Sequence, residues 1–379
     1  MASSTMVVTG IRSIGAMSVI NRTSARSLNS KDPFQQLSFF KRKLVYSYPN
    51  ASSFLAPTSA GVFSSCTSST ATLAVAANDP VVSVDWLHAN LNERNIKVLD
   101  ASWYMPNEER NPFQEFQMAH IPNSIFFDVD GISDQSSNMP HMLPSEEGFS
   151  VAVSALGINN EDVMVVYDGK GIFSAARVWW MFRVFGHHGV FILDGGLPKW
   201  RTAGYDVKSI ASRYDDEILK TNPATDAIEK HYQGLSQVGP ITFKAKLQPH
   251  LLWTLDQIKK NIEEQTHQHM DARGKARFNG TAPEPRKGIK SGHVPGSKCI
   301  PFGEILDSQQ TLLQESELAK RFEAEGISLD RDIVVSCGTG VTACILAVAL
   351  YRLGKPDVPI YDGSWTEWAS KSDTPIATV

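Results

Sequence analysis

The chain repeats itself once. Asp100-Ala101-Ser102 returns as Asp271-Ala272-Arg273 after 171 positions, and His120-Ile121-Pro122-Asn123-Ser124 as His293-Val294-Pro295-Gly296-Ser297 after 173. Asp168-Gly169-Lys170-Gly171 returns as Cys337-Gly338-Thr339-Gly340 after 169, and Asp194-Gly195-Gly196 with Trp200 as Asp362-Gly363-Ser364 with Trp368 after 168. Four matches in one order at a nearly constant offset make two copies of one unit. A period this long excludes a solenoid, whose repeats run about 20 to 50 residues. Each copy is therefore expected to be a domain with its own core. Within a copy, short β-branched runs alternate with helical stretches: 96–99, Val163–Tyr167, Val190–Leu193 and Ile333–Ser336 read as strands, while 174–185 and 341–353 read as helices. That alternation predicts the α/β class, with a mostly parallel sheet flanked by helices in each domain. The domains are read at 78–210 and 246–379. The segment 211–245 has weak periodicity and reads as a connector.

Residues 1–77 differ from the rest. They carry Arg12, Arg22, Arg26, Lys31, Lys41, Arg42 and Lys43 against the single acid Asp32, with many Ser and Thr, which is the composition of an organelle transit peptide. The spaced arginines favour the mitochondrial matrix; the opening Met1-Ala2-Ser3-Ser4 would also suit a plastid. The remaining chain has 29 basic and 39 acidic residues, a net charge of −10, which argues against nucleic acid as a partner. No apolar run approaches the roughly 18 to 20 residues that cross a bilayer, so no membrane association is expected. The four cysteines, Cys66, Cys299, Cys337 and Cys344, lack the paired spacing of a disulfide scaffold or a zinc site.

Chemistry concentrates in Ile333-Val334-Val335-Ser336-Cys337-Gly338-Thr339-Gly340-Val341-Thr342-Ala343. A strand ends, a thiol follows at once, and two glycines allow a tight turn before a helix begins. In a parallel sheet this is the carboxyl edge, where ligands bind. Amide groups of such a turn converge on one centre and the helix dipole adds positive potential, so a thiolate there is stabilised as a nucleophile. Cys344, among Ile345, Leu346 and Ala347, reads as core packing, and so does Cys299 before Ile300-Pro301-Phe302. His187, His188, His267 and His269 have too few partner ligands for a metal, and no metal or organic cofactor is expected. Val178-Trp179-Trp180-Met181-Phe182 reads as the helix core of the first domain. Asn279-Gly280-Thr281 fits a glycosylation acceptor, which a matrix protein would not use.

These motifs, over roughly residues 80 to 375, resemble the tandem rhodanese family, and Cys337-Gly338-Thr339-Gly340-Val341-Thr342 with Asp362-Gly363-Ser364-Trp365 resembles its mercaptopyruvate-using branch in a plant organellar form. The resemblance implies a catalytically silent first domain, where Asp168 stands in place of Cys337, and a second domain that carries sulfur as a Cys337 persulfide. It implies Arg277 and Arg286 as the pair that binds the carboxylate and carbonyl of 3-mercaptopyruvate, with Gly338, Gly340, Val341 and Thr342 around the sulfur. It further implies a relay of Thr339, His141 and Asp130, which puts the site at the domain interface. Thr339 stands where relatives often have serine; the hydroxyl is kept, but its rotamer is restricted.

Neutral Gly338, Thr339 and Gly340 tilt the site toward 3-mercaptopyruvate over dianionic thiosulfate, and guanidinium groups bind a carboxylate bidentately. The acceptor is cyanide, a small thiol or a thioredoxin-like protein. Three rivals remain: a thiosulfate-preferring enzyme, a non-catalytic binding module of the same fold, and a cysteine phosphatase. The last needs arginine at position 343, where Ala343 stands. The reading requires the Cys337 side chain to share a space with both guanidinium groups.

Overall fold

The computed structural model describes residues 79–210, 222–235 and 239–379. The first domain contains β1 (Val81–Val82), α1 (Val84–Asn90), β2 (Ile96–Asp100), α2 (Pro112–Met118), β3 (Ser124–Phe126), α3 (Glu146–Ala155), β4 (Val163–Tyr167), α4 (Ala175–Val184), β5 (Val190–Leu193) and α5 (Gly196–Thr202). A helix α6 (Pro223–Tyr232) follows. The second domain contains β6 (Leu252–Trp253), α7 (Leu255–Glu264), β7 (Gln268–Asp271), α8 (Lys275–Phe278), β8 (Lys298–Cys299), α9 (Glu315–Ala324), β9 (Ile333–Ser336), α10 (Ala343–Arg352), β10 (Ile360–Tyr361) and α11 (Ser364–Ser370). Each domain forms a five-stranded parallel sheet, ordered β1-β5-β4-β2-β3 in one and β6-β10-β9-β7-β8 in the other. The two orders are the same, as expected of two copies of one unit.

The central strands explain the arrangement. Every residue of β4 and of β9 is buried, as a parallel strand covered on both faces requires. Each ends at the carboxyl edge of its own sheet, where Asp168 and Cys337 follow. The expectation that each copy keeps its own core is corrected. Helices α4 and α10 pack against each other, with the Trp179 ring edge-on to Tyr351 at 5.7 Å, and one hydrophobic cluster runs from Val81 to Ile360 through both domains. Only smaller clusters, around Trp200 in one domain and Trp368 in the other, are private. The Val178–Phe182 run is buried all round because the second domain covers the face that the first leaves open.

The described part of the connector is packed on the first domain. Asn222 caps α6 by accepting from the Ala224 amide, and Pro223 sits in the first turn, so the local start signal is complete. Ala224 and Ile228, four residues apart, bury one face of α6 against α3. Further on the chain runs along α3, where Ser154 Oγ accepts from the amides of Thr242 (3.0 Å) and Phe243 (2.9 Å). Phe243 is fully buried among Phe149, Phe182 and His187. Replacing Phe243 by alanine should lower unfolding stability by about 3–5 kcal/mol, checked by denaturant titration, if this strip is part of the core and not a tether.

Candidate active site

Cys337 leaves the end of β9, the central strand, and its backbone is pinned on both sides. Its amide donates to Ser364 Oγ at 3.1 Å and its carbonyl accepts from the Trp365 amide at 3.0 Å. The Ser364 hydroxyl donates onward to the Tyr361 carbonyl at 2.8 Å, so the second Asp-Gly-Ser motif clamps the thiol-bearing turn. None of the amides of Gly338, Thr339, Gly340, Val341 and Thr342 has a hydrogen-bond partner among the described residues. Five free donors in one tight turn form a nest for an anion.

The first domain shows what such a nest holds. At the equivalent turn the Asp168 carboxylate accepts four amides, from Lys170 (2.8 Å), Gly171 (3.0 Å), Phe173 (2.7 Å) and Ala175 (2.9 Å). A fixed carboxylate fills the position that Cys337 holds in the second copy.

Cys337 is 2 % exposed, yet it borders a cavity of about 250 Å³. Gly338, Thr339, Val341, Thr342, Arg277 and Arg286 border the same cavity, so the thiol and both guanidinium groups share one space. Gly340 is not on the wall. Its φ is 76°, and a Cβ there would lie 2.8 Å from the Asp362 carbonyl oxygen and 2.9 Å from Arg177 Nη1, so the position demands glycine for packing and conformation.

The arginines differ in their commitments. Arg273 is fully buried: it pairs with Asp271 (2.7 Å) and Glu284 (2.7 Å) and lies 4.3 Å over the Trp365 ring. Arg277 shares Glu284, at 3.3 Å. Arg286 is half-buried and has no ion pair among the described residues. Burial pushes its pKa down, and Asp130, Cys337 and Glu284 partly oppose that. An unpaired cation facing a cavity is an anion site.

His141 and Asp130 meet at 2.7 Å between Nδ1 and Oδ1, while His141 Nε2 is buried without a hydrogen-bond partner. Neither is on the cavity wall; Trp103 is, and it connects them to it. Its indole donates to Asp130 Oδ2 at 2.8 Å and its ring meets the His141 ring edge-on at 4.7 Å. Burial would raise the Asp130 pKa, but the His141 and Trp103 contacts and the charge of Arg286 outweigh it, and the net shift is downward. The Thr339 hydroxyl makes no hydrogen bond to His141; it has no protein partner among the described residues.

Several site residues escaped the sequence reading. Trp103, Lys170 and Phe173 reach the cavity from the first domain. Arg177, fully buried on α4, donates through Nη1 to Asp362 Oδ1 (2.6 Å) and to the Gly340 carbonyl (3.1 Å), and through Nη2 to the His141 carbonyl. The other Asp362 oxygen accepts from the Leu143 amide at 2.9 Å. One ion pair thus fastens the His141 loop to the Cys337 loop. The repeat held one signal for this: Asp194 Oδ1 accepts from the Leu312 amide at 3.0 Å, the same contact in the other copy.

The remaining candidates are structural. Cys299 donates to the Arg273 carbonyl at 3.3 Å, and burial pushes its thiol up to about 12; Cys344 donates to the Gly340 carbonyl at 3.2 Å. His269 Nε2 lies 2.7 Å from Ser336 Oγ, and His267 packs on Trp253 at 4.5 Å. Among the described residues no group of three or more His, Cys, Asp and Glu could hold a metal ion, and no helix is long and apolar enough to cross a membrane.

Two parallel α/β repeats, with a thiol in the amide nest of one and a carboxylate in that of the other, define a tandem rhodanese protein. The Rhodanese-like domain model matches residues 83–203 and 254–371, and the chain belongs to that family. It is 68% identical over 308 residues to the mitochondrial thiosulfate/3-mercaptopyruvate sulfurtransferase 1 of Arabidopsis thaliana, covering 81% of this chain and 80% of the relative. It is 40% identical over 294 residues to human 3-mercaptopyruvate sulfurtransferase, covering 76% and 91%. The crystal structure of SseA from Escherichia coli, a rhodanese-fold enzyme described with the 3-mercaptopyruvate sulfotransferases, superposes with a TM-score of 0.63 at 35% identity, covering 76% of this chain and 99% of that one.

Arg177→Met should cost about 3–5 kcal/mol of stability, because it leaves Asp362 buried without its partner; adding Asp362→Leu should recover more than half in the same unfolding assay. His269 gives a pH signature. Burial lowers its pKa to about 4 from the ordinary imidazole value of 6.5, so between those values the unfolded chain binds more protons than the folded one. Stability should be full above pH 6.5 and fall by on the order of 3 kcal/mol toward pH 4. In His269→Gln that fall should shrink, as read by unfolding at pH 7 and at pH 4.5.

Proposed function

We propose that the protein is a sulfurtransferase that moves sulfane sulfur from 3-mercaptopyruvate, and less well from thiosulfate, through a Cys337 persulfide. The observation that carries the reading is the single cavity bordered by Cys337 and by both Arg277 and Arg286, beneath amides that have no other partner. The names of the relatives support both donors.

Arg286 holds the donor carboxylate, with Arg277 beside it. The Cys337 thiolate attacks the donor sulfur. An S–S bond forms as the C–S bond breaks; the bond pair goes to the methylene carbon as pyruvate enolate, and a proton gives pyruvate. With thiosulfate the leaving group is sulfite. The amides of 338–342 hold the thiolate, then the persulfide anion, in the way the first domain holds the Asp168 carboxylate. Thr339 offers a hydroxyl at the cavity, and His141 and Asp130 lie in contact behind Trp103. Gly338, Val341 and Thr342 shape the wall, and Gly340 permits the turn. An acceptor then attacks the outer sulfur and Cys337 leaves as thiolate. Cyanide, a small thiol or the thiol of a thioredoxin-like protein fits this step.

The first domain is catalytically silent, since a carboxylate carries no transferable sulfur. Residues 1–77 lie outside the described residues; their composition, and the mitochondrial name of the Arabidopsis relative, support delivery to the mitochondrial matrix.

Incubation with 3-mercaptopyruvate and no acceptor should add one sulfur atom to the intact mass. Cys337→Ser should remove that gain and all turnover while the far-UV spectrum stays native, whereas a non-catalytic module would lose nothing. Arg286→Gly should lower kcat/KM for 3-mercaptopyruvate by about 10- to 100-fold, the loss expected for one charge-assisted contact. Unchanged donor kinetics would take Arg286 out of the site.

A further inference from the structure

The repeat register places Lys170 opposite Thr339: each is the third residue of its turn, Asp168-Gly169-Lys170-Gly171 in one copy and Cys337-Gly338-Thr339-Gly340 in the other. In the folded chain both turns border the same cavity, and so do Lys170 and Phe173 from the first domain. The catalytic turn has no charged side chain from 338 to 342, and the silent turn brings one to the same space from the facing domain.

Lys170 is held at both ends. At its root, its own amide and that of Gly171 donate to Asp168 Oδ1 at 2.8 and 3.0 Å, and a Cβ on Gly171 would collide with Gln310 of the second domain. At its tip, Nζ is 2.6 Å from Glu108 Oε1 and 4.4 Å from the Phe173 ring centroid. Both side chains of the Lys170–Glu108 pair are about one quarter exposed, so the ammonium keeps part of its charge field toward the cavity. Glu108 is held below its ordinary carboxylate range: burial opposes this, but the Lys170 contact, the Met105 amide and the charges of Lys170 and Arg110 together outweigh it.

Cations therefore border the cavity from two domains: Arg273, Arg277 and Arg286 from the second, the first two paired with Glu284 on the same wall, and Lys170 from the first. A donor with one carboxylate is satisfied by the arginines. A small dianion such as thiosulfate brings a second charge to the same space, and Lys170 is the cavity-lining ammonium that can answer it. We propose that Lys170 is a specificity residue that sets how well the enzyme accepts dianionic sulfur donors, and that Glu108 restrains it. The silent domain then takes part in donor selection through the loop that lost its own sulfur chemistry. This rests on the sulfur-transfer reading above.

The test measures kcat/KM for thiosulfate and for 3-mercaptopyruvate with the full chain and cyanide as acceptor, at low and high salt. Lys170→Met should lower the thiosulfate value about tenfold more than the 3-mercaptopyruvate value, mainly through KM, and the difference should shrink at high salt. Lys170→Arg should restore the ratio, and Glu108→Gln should shift it toward thiosulfate. Equal effects on both donors in all three variants, or none, would overturn the proposal. If Lys170→Met does not fold, the arginine and Glu108→Gln ratios decide. If the unmodified protein gains no sulfur on Cys337 from either donor, by intact mass, then the sulfur-transfer reading has failed and this proposal falls with it.

Discussion

The Arg177–Asp362 pair is the constraint on which the site depends. Burying two charges is expensive, and the geometry here meets that cost with a 2.6 Å contact plus bonds to the Gly340 carbonyl, the His141 carbonyl and the Leu143 amide. Every partner belongs to a loop that borders or supports the Cys337 turn. Those loops come from both domains, so the catalytic geometry exists only while the domains are docked. Gly340 follows from the same contact: the guanidinium and the Asp362 carbonyl occupy the volume any side chain there would need.

The duplication supplies the rest of the argument. Two turns of one design begin with different chemistry, Asp168 in one and Cys337 in the other. In the first copy the nest is filled permanently by the Asp168 carboxylate, which satisfies four amides and makes the turn rigid. In the second copy the amides of 338–342 are left without partners among the described residues, and a thiol precedes them. Preorganised donors with no ground-state partner are available to a charge that appears during reaction. The first domain also provides Trp103, Phe173 and Lys170 to the cavity and His141 to the loop behind it.

Much of this was legible in the chain. The buried strands Val163–Tyr167 and Ile333–Ser336 announce themselves as continuous apolar runs, and the position of Cys337 follows from where the second one ends. Helix α6 carried a full start signal in Asn222-Pro223, but weak periodicity around it hid the signal. Arg177 was not legible, because a charged residue inside Ala175–Val184 is explained only by Asp362, 185 positions away. For the same reason α4 read as the core of one domain, when both its faces are covered by different ones. The two-residue strands Val81–Val82 and Leu252–Trp253 are too short for any period to show.

Near-complete burial of Cys337 at first looks unsuited to a nucleophile. A persulfide, however, is itself attacked by thiols and water-borne nucleophiles, and a nest closed to bulk solvent slows those losses. The cavity of about 250 Å³ sets the sulfur on a wall shared with Arg277 and Arg286, and a partner too bulky to extend into it would not reach that wall. An acceptor must be small or must present its thiol at the tip of a projecting loop. If the proposed donor selection holds, the walls that shield the sulfur are also the ones whose charges sort the donors, and protection and selection rest on one set of side chains drawn from both domains.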